Sequence, residues 1–232
     1  MHLSAILLSF IFSTASLTAP AANPDQKALS DSLILAPTAR DRANILSDPS
    51  NFVFDFHNPP TESAVAKGNG GRTVRADRGT FPALIGTGVS MTVGFLGPCG
   101  FNTPHTHPRS TEMNIPVVGR LVTEFQSENN TPRIINEVNT YQLTIFPKGA
   151  LHTEFNPDCT ETVFVAGFGD EDPGVQQTAQ AFFGLREDIV KATLGDALVS
   201  SALDLEKARS LLPANVALGV EECLKKCAKK GD

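Results

Sequence analysis

The spacing of apolar positions changes character several times along this chain. From Leu3 to Phe12 they run almost unbroken, interrupted by Ser4, Ala5 and Ser9, and the small-residue stretch Ser13 to Ala22 follows. No Asp, Glu, Lys or Arg precedes Asp25. A short apolar run followed by small residues reads as a secretory signal cleaved between Ala15 and Ala22, although only His2 and the terminal amine replace the usual basic start. An uncleaved membrane anchor is the rival reading, but the run is about half the roughly 20 residues a bilayer core requires. Asp25 to Asp48 carries spaced apolar residues among charges and predicts one helix with an extended lead-in. Asn51 to Thr61 predicts a short strand and a turn. Ser63 to Gly79, containing Lys67-Gly68-Asn69-Gly70-Gly71-Arg72, reads as a mobile loop without a phosphate-binding fingerprint.

Between Thr80 and Gly169, short runs of Val, Ile, Phe, Leu and Thr alternate with Gly, Pro and Asn, which predicts an all-β sandwich or barrel. From Gln176 onward Phe182, Leu185, Ile189 and Leu194 fall at helical spacing, followed by Leu203 to Leu212 and Val216 to Ala228, so two or three helices are expected. Pro213 is expected to open the last of these. Its stripe Val220, Cys223, Leu224 and Cys227 makes one apolar side, and Lys225, Lys226, Lys229 and Lys230 suit the negative end of a helix dipole. The chain therefore divides into a signal peptide (1–22), an N-terminal extension and loop (23–79), a β-barrel core (80–175) and a C-terminal helical extension (176–232).

Composition narrows the partners. With 41% hydrophobic and 19% charged residues in a 232-residue chain, a soluble globular protein is expected. Nineteen Lys and Arg against 25 Asp and Glu give a net charge of -6, which leaves no basic field for nucleic acid or a membrane surface. With no Trp, one Tyr and 15 Phe, the aromatic residues suit a packed interior better than a base-stacking platform. Four cysteines, Cys99, Cys159, Cys223 and Cys227, are an even number in a chain bound for an oxidising space, where pairing is the default and buried thiols the alternative. Three pairings are possible. Cys223 and Cys227 stand about 5 to 6 Å apart at Cβ if the segment is helical, beyond the roughly 3.8 Å a disulfide requires. A Cys99–Cys159 bridge ranks first, because each lies beside one of the two histidine motifs described next. The sequon Asn129-Asn130-Thr131 falls in a polar stretch that reads as an exposed turn and makes Asn129 a glycosylation candidate.

Three of the five histidines fall in one ordered pattern: His105-Thr106-His107, then Glu112, then His152 behind Pro147-Lys148-Gly149. Residues i and i+2 of a strand face the same side, so His105 and His107 would look into the barrel, with Glu112 returning beside them after a turn at Pro108. Three imidazoles and one carboxylate suit an octahedral ion with open positions, Mn, Fe, Ni or Zn, and the absence of thiolate ligands argues against a structural zinc. The plain alternative is a histidine pair on a solvated strand, which does not account for the rest of the set. Glu154, two residues after His152, falls on the same face as a candidate for hydrogen-bonding a ligand or relaying protons; so does Asn156 if the strand is regular. Arg109 reads as a loop or interface residue and His57 as a structural histidine.

At these residues the chain resembles the cupin superfamily, and within it the secreted germin-like and spherulin-like proteins. The first family motif is matched by His105-Thr106-His107-Pro108-Arg109-Ser110-Thr111-Glu112 and Gly119, and the second by Pro147-Lys148-Gly149, His152 and Asn156. Two glycines of the pattern are replaced, by Cys99 and Tyr141, and the plant members' N-terminal cysteine pair is missing. The resemblance implies a mainly β, single-domain jelly-roll barrel with its helical extension, a manganese site, and a secreted, extracellular or cell-wall location. It also implies a small-molecule substrate and homo-oligomers built through the helical tail. Manganese-dependent oxalate oxidases and superoxide dismutases both occur among germin-like proteins. The oxalate-oxidising members hold substrate with two asparagines, one matched here by Asn102 and the other, on the preceding strand, replaced by Thr92; a hydroxyl cannot reach as an amide does, so superoxide ranks above oxalate. A non-enzymatic stress protein of the wall or spore, its ion mainly stabilising the barrel, is the other class the resemblance allows.

Overall fold

A computed structural model describes residues 24–195, 204–213 and 215–229. The leader read in residues 1–22, like Leu203 and Lys230 of the tail, lies outside the described residues. Two sheets make the body. The first runs β1 (Val65–Gly68), β2 (Gly71–Ala76), β3 (Ser90–Leu96), β10 (Thr162–Phe168), β5 (Glu112–Val118) and β8 (Thr144–Phe146). The second runs β11 (Gln176–Gln177), β4 (Gly100–Thr106), β9 (Leu151–Phe155), β6 (Leu121–Gln126) and β7 (Ile134–Val138), with β12 (Ala217–Leu218) added on β4. Every pairing is antiparallel, and together the sheets form the expected jelly roll.

Strict alternation drives the closure. Along β10, Phe164, Ala166 and Phe168 point inward and join Leu96, Leu121 and Val216 in the buried core. Burying a side chain of this size contributes about 1.5 to 3 kcal/mol each. Gly94, opposite Phe164, makes room for that ring: a Cβ there would stand 2.1 Å from it.

Several local expectations are corrected. Ser63–Gly79 is not a loop; it holds the β1–β2 hairpin, whose β2 pairs along β3, so the sheets begin at Val65, ahead of Thr80. Its Gly-rich centre is the turn between those strands. Asn51–Thr61 makes no strand; a 3-10 turn spans Pro49–Phe52 with Asp48 capping Ser50. The region before it holds two helices, α1 (Pro24–Leu35) and α2 (Ala39–Ile45), with Thr38 as the N-cap that separates them. Leu33 and Leu46 from this pair pack on Ile85 in a small second core. After β11 come α3 (Thr178–Phe183), α4 (Glu187–Leu194), α5 (Leu205–Leu211) and α6 (Glu221–Ala228). The last helix starts at Glu221 and not near Pro213, because Val216 enters the core and Ala217 and Leu218 pair with Phe101 and Gly100 of β4.

The Cys99–Cys159 bridge is also wrong. The pairs are Cys99–Cys223 and Cys159–Cys227, spanning 124 and 68 residues. The reason is geometric: Cys223 and Cys227, four apart on α6, share the helix face that docks where the Cys99 and Cys159 loops meet, and each takes one loop. Those loops are neighbours, since Cys99 N–H donates to the Asp158 carbonyl at 3.2 Å. Cys99 and Tyr141, the two residues standing where the family pattern has glycine, have φ of 59° and 65°. Both positions keep the left-handed backbone that glycine adopts freely.

Candidate metal centre

His105 lies near the end of β4, directly across from His152 on β9, and their ring centroids are 4.1 Å apart. His107 follows the end of β4 and Glu112 opens β5 in the opposite sheet. All four are buried, and their donor atoms lie within 4.8 Å of one another. Phe146 stacks on His152 at 4.4 Å and Phe168 packs against His107 at 4.6 Å, which walls the cluster with apolar surface.

The remaining ring nitrogens are committed elsewhere. His105 Nδ1 faces the Thr103 carbonyl at 2.9 Å, His152 Nδ1 the Ala150 carbonyl at 2.9 Å, and His107 Nδ1 the Gly174 carbonyl. A carbonyl can only accept, so each Nδ1 carries a proton and each Nε2 is turned to the centre, where it would offer its lone pair to an ion in place of a proton. Preset tautomers of this kind are what a metal-ligating histidine has in its outer shell. Glu112 Oε2 stands 3.0 Å from His107 Nε2 and 3.2 Å from His152 Nε2. Three lone pairs and one carboxylate converging on a point fit a divalent ion.

Without an ion, a proton on His152 balances the Glu112 carboxylate. Burial would raise the Glu112 carboxyl, but the bonds from His107 and His152 outweigh it and hold it well below its ordinary value. Burial, then the neighbouring His152 and His107, push His105 well below 6.5, so it stays neutral. His152 is pushed up to about 9, because its bond to Glu112 overcomes burial. Burial and the nearby Glu112 charge push Glu154 up to about 8.

The other residues singled out in the sequence separate into two groups. Asn102 reaches the site through a bulge: the β4–β9 register shifts between Asn102 and His105, so residues three apart both face inward. Asn102 Nδ2 stands 3.5 Å from His105 Nε2. Thr92 lines the same cavity, half-buried. Glu154 is fully buried beside Thr123 and Asn102 in the register, with Asn114 donating to its Oε1 at 3.3 Å. Asn156, however, turns away: its Nδ2 donates to the Leu96, Gly97 and Thr160 carbonyls and clamps the β3–β4 turn. His57 is exposed, with its ring 5.3 Å from Phe95. Arg109 binds Asp172 through Nη2 at 2.7 Å, and its N–H donates to the Pro173 carbonyl at 3.2 Å, which fixes the segment whose Gly174 accepts from His107. Asn129 is exposed in the β6–β7 turn, where Thr131 Oγ1 bonds back to Glu128.

Gln177 and Asn215 line the cavity away from the four candidate ligands, and Asn114 and Thr123 lie buried beside Glu154; none sits at a spacing that sets it apart in the sequence. Asn102 Oδ1, Asn114 Oδ1, Thr123 Oγ1 and Glu154 Oε2 are buried without hydrogen-bond partners. Asn102, His105, His107 and Glu112 line a cavity of about 380 Å³.

Comparison with known proteins places these features. A family profile described as Cupin matches residues 57–208. Spherulin-1B of Physarum polycephalum is 41% identical, over 97% of this chain and 90% of its own. Germin-like protein 8-2 of Oryza sativa subsp. japonica is 33% identical over 54% of this chain and 56% of its own. Among solved structures, a recombinant oxalate oxidase in complex with glycolate superposes with a TM-score of 0.60 at 25% identity, covering 70% of this chain and 82% of that one.

Proposed function

The chain belongs to the cupin family, and on that premise we propose that it is a secreted metal-dependent oxidoreductase that acts on a small oxygen-rich anion at one manganese ion. The observation that carries the reading is the set of three Nε2 atoms and the Glu112 carboxylate aimed at one point, each histidine fixed through its Nδ1. His105, His107, Glu112 and His152 would hold the ion, which would supply a Lewis acid and a one-electron couple; iron, nickel and zinc suit the same donors, and manganese is preferred on the resemblance to the germin-like proteins. Asn102 orients the bound anion from below, with Thr92 opposite it on the other sheet. Glu154, buried beside Glu112 with Oε2 unpartnered, holds a proton close to the reacting anion.

A small carboxylate is favoured over superoxide by the cavity, whose 380 Å³ exceeds what a diatomic anion occupies. Superoxide is the second reading, favoured by Thr92 in place of a second amide. Secretion is supported by the two disulfides, and no helix among the described residues is long and apolar enough to cross a membrane. The glycan would sit on Asn129, clear of the cavity. Self-association is supported less by the tail stripe, whose Cys223 and Cys227 are committed to the barrel, than by the outer face of the first sheet. Met91, Met113, Val118 and Ile145 there are each 41% to 52% exposed.

Metal analysis with oxalate and superoxide assays on the same sample, using Glu154→Gln and His105→Ala, tests the proposal. Turnover that is lost in His105→Ala and reduced in Glu154→Gln with its metal retained is expected. A metal-loaded protein inert toward both anions would favour a non-enzymatic extracellular role, in which the ion stabilises the barrel.

A further inference from the structure

The C-terminal segment forms part of the cavity wall. Asn215 sits between the sheets, its Nδ2 3.4 Å from Thr73 Oγ1 on β2 and its Oδ1 3.5 Å from Thr103 Oγ1 on β4. Next to it Val216 is fully buried in the core, Ala217 and Leu218 pair with β4, and the two disulfides fix α6 beyond. The backbone is so close that a Cβ on Gly70 would meet the Ala217 carbonyl at 1.9 Å. Asn215 is therefore held in place from its own chain. Its side-chain contacts are at the long limit of hydrogen bonds, while a primary amide offers two donors and two acceptor sites.

Gln177 brings the same chemistry from β11. It lies directly across from His105 in the antiparallel register and accepts from Thr103 Oγ1 at 2.6 Å through Oε1. Thr73 and Thr92 line the cavity from the first sheet. The polar groups of this wall are neutral hydroxyls and amides, set among apolar side chains such as Ala66, Met91 and Val175. The mouth adds no net charge, because Arg75 is paired with Asp77 at 3.0 Å and Arg109 with Asp172 at 2.7 Å. An anionic group is thus drawn to the metal ligands, and the wall beside them is left to recognise neutral hydroxyls. A volume of 380 Å³ falls within the roughly 300–1,000 Å³ of cavities that enclose whole small molecules.

We propose that Asn215 and Gln177, with Thr73 and Thr92, form a second subsite that binds the hydroxyls of a polyhydroxy monocarboxylate of about four to six carbons, its carboxylate lying at the metal centre. This rests on the metal reading above and names the substrate class for that site. The C-terminal tail is in this view a part of the binding site, fixed by its disulfides.

Calorimetric titration of manganese-loaded full-length protein with glycolate, threonate and gluconate, after its metal content is measured, tests this. Threonate or gluconate is expected to bind at least about tenfold more tightly than glycolate, equivalent to about 1.4 kcal/mol. Gln177→Ala and Asn215→Ala are each expected to weaken the longer acid about fivefold and to leave glycolate affinity and metal content unchanged. Gln177 is on a two-residue edge strand, so that variant decides the matter if Asn215→Ala does not fold. Equal or weaker binding of the longer acids by metal-loaded wild type would overturn the subsite alone. Protein that takes up no metal would overturn the metal centre and the subsite with it.

Discussion

Removing the outer disulfide with Cys159→Ser and Cys227→Ser is expected to lower stability by about 4 kcal/mol. The bridge closes a separation of 68 residues; the chain-entropy relation gives about 15 cal/mol/K for a loop of that size, or about 4 kcal/mol at 25 °C. The retained Cys99–Cys223 bridge adds a second route, through 99–159, parallel to 159–223; this roughly halves the effective loop, which the logarithm turns into a loss of only about 0.6 kcal/mol. For a protein of this size each kcal/mol moves Tm by about 2–4 °C, so a fall of about 8–16 °C is expected by scanning calorimetry. All four metal ligands lie outside the tail, so metal content should not change. A fall below about 3 °C would refute the staple argument. A non-reducing peptide map joining Cys99 to Cys159 would refute the connectivity itself.

Metal affinity should depend on pH through His152. Its imidazole, pushed up to about 9 in the metal-free protein by the Glu112 bond, must lose its proton to bind, so affinity should rise about tenfold per pH unit from pH 6 to about 9 in chelator competition; a flat profile would contradict that. The sign reverses for metal-free stability: the raised His152 value adds stability that is complete below pH 6.5 and is lost as pH rises through about 9. Tyr141→Gly should stabilise the fold by about 1 kcal/mol in urea titration, since Tyr141 is exposed at φ 65° and an L side chain pays about that much there; an unchanged midpoint would mean the turn is held by other contacts. Gly94→Ala should cost about 1–3 kcal/mol by the same assay, because its Cβ would overlap the buried Phe164 ring; a neutral result would show that the ring can shift.

Much of the site was legible because its chemistry is local. His105 and His107 alternate on one strand, and Glu112 and His152 follow at turns marked by Pro108 and by Pro147-Lys148-Gly149. The β1–β2 hairpin was not legible: Lys67-Gly68-Asn69-Gly70-Gly71-Arg72 looks mobile in isolation and is ordered by pairing with β3 and by the tail packed on Gly68 and Gly70. Register shifts also leave no trace in spacing, so the inward Asn102 is legible only through resemblance; Asn156 keeps the buried alternation of His152 and Glu154, but its amide is drawn to the carbonyls of the β3–β4 turn, which spacing does not show. The disulfides were closer to hand. If Cys223 and Cys227 cannot bridge each other on a helix, pairing Cys99 with Cys159 strands two thiols, and only cross-pairing leaves all four bonded.

The most direct test of the account is manganese quantified per chain in wild type and in Glu112→Gln after identical loading and desalting, with circular dichroism on both. The account predicts about one ion per chain in the wild type and almost none in the variant, with the β spectrum unchanged. Equal manganese in both, or none in the wild type, would contradict the centre on which the proposed chemistry depends.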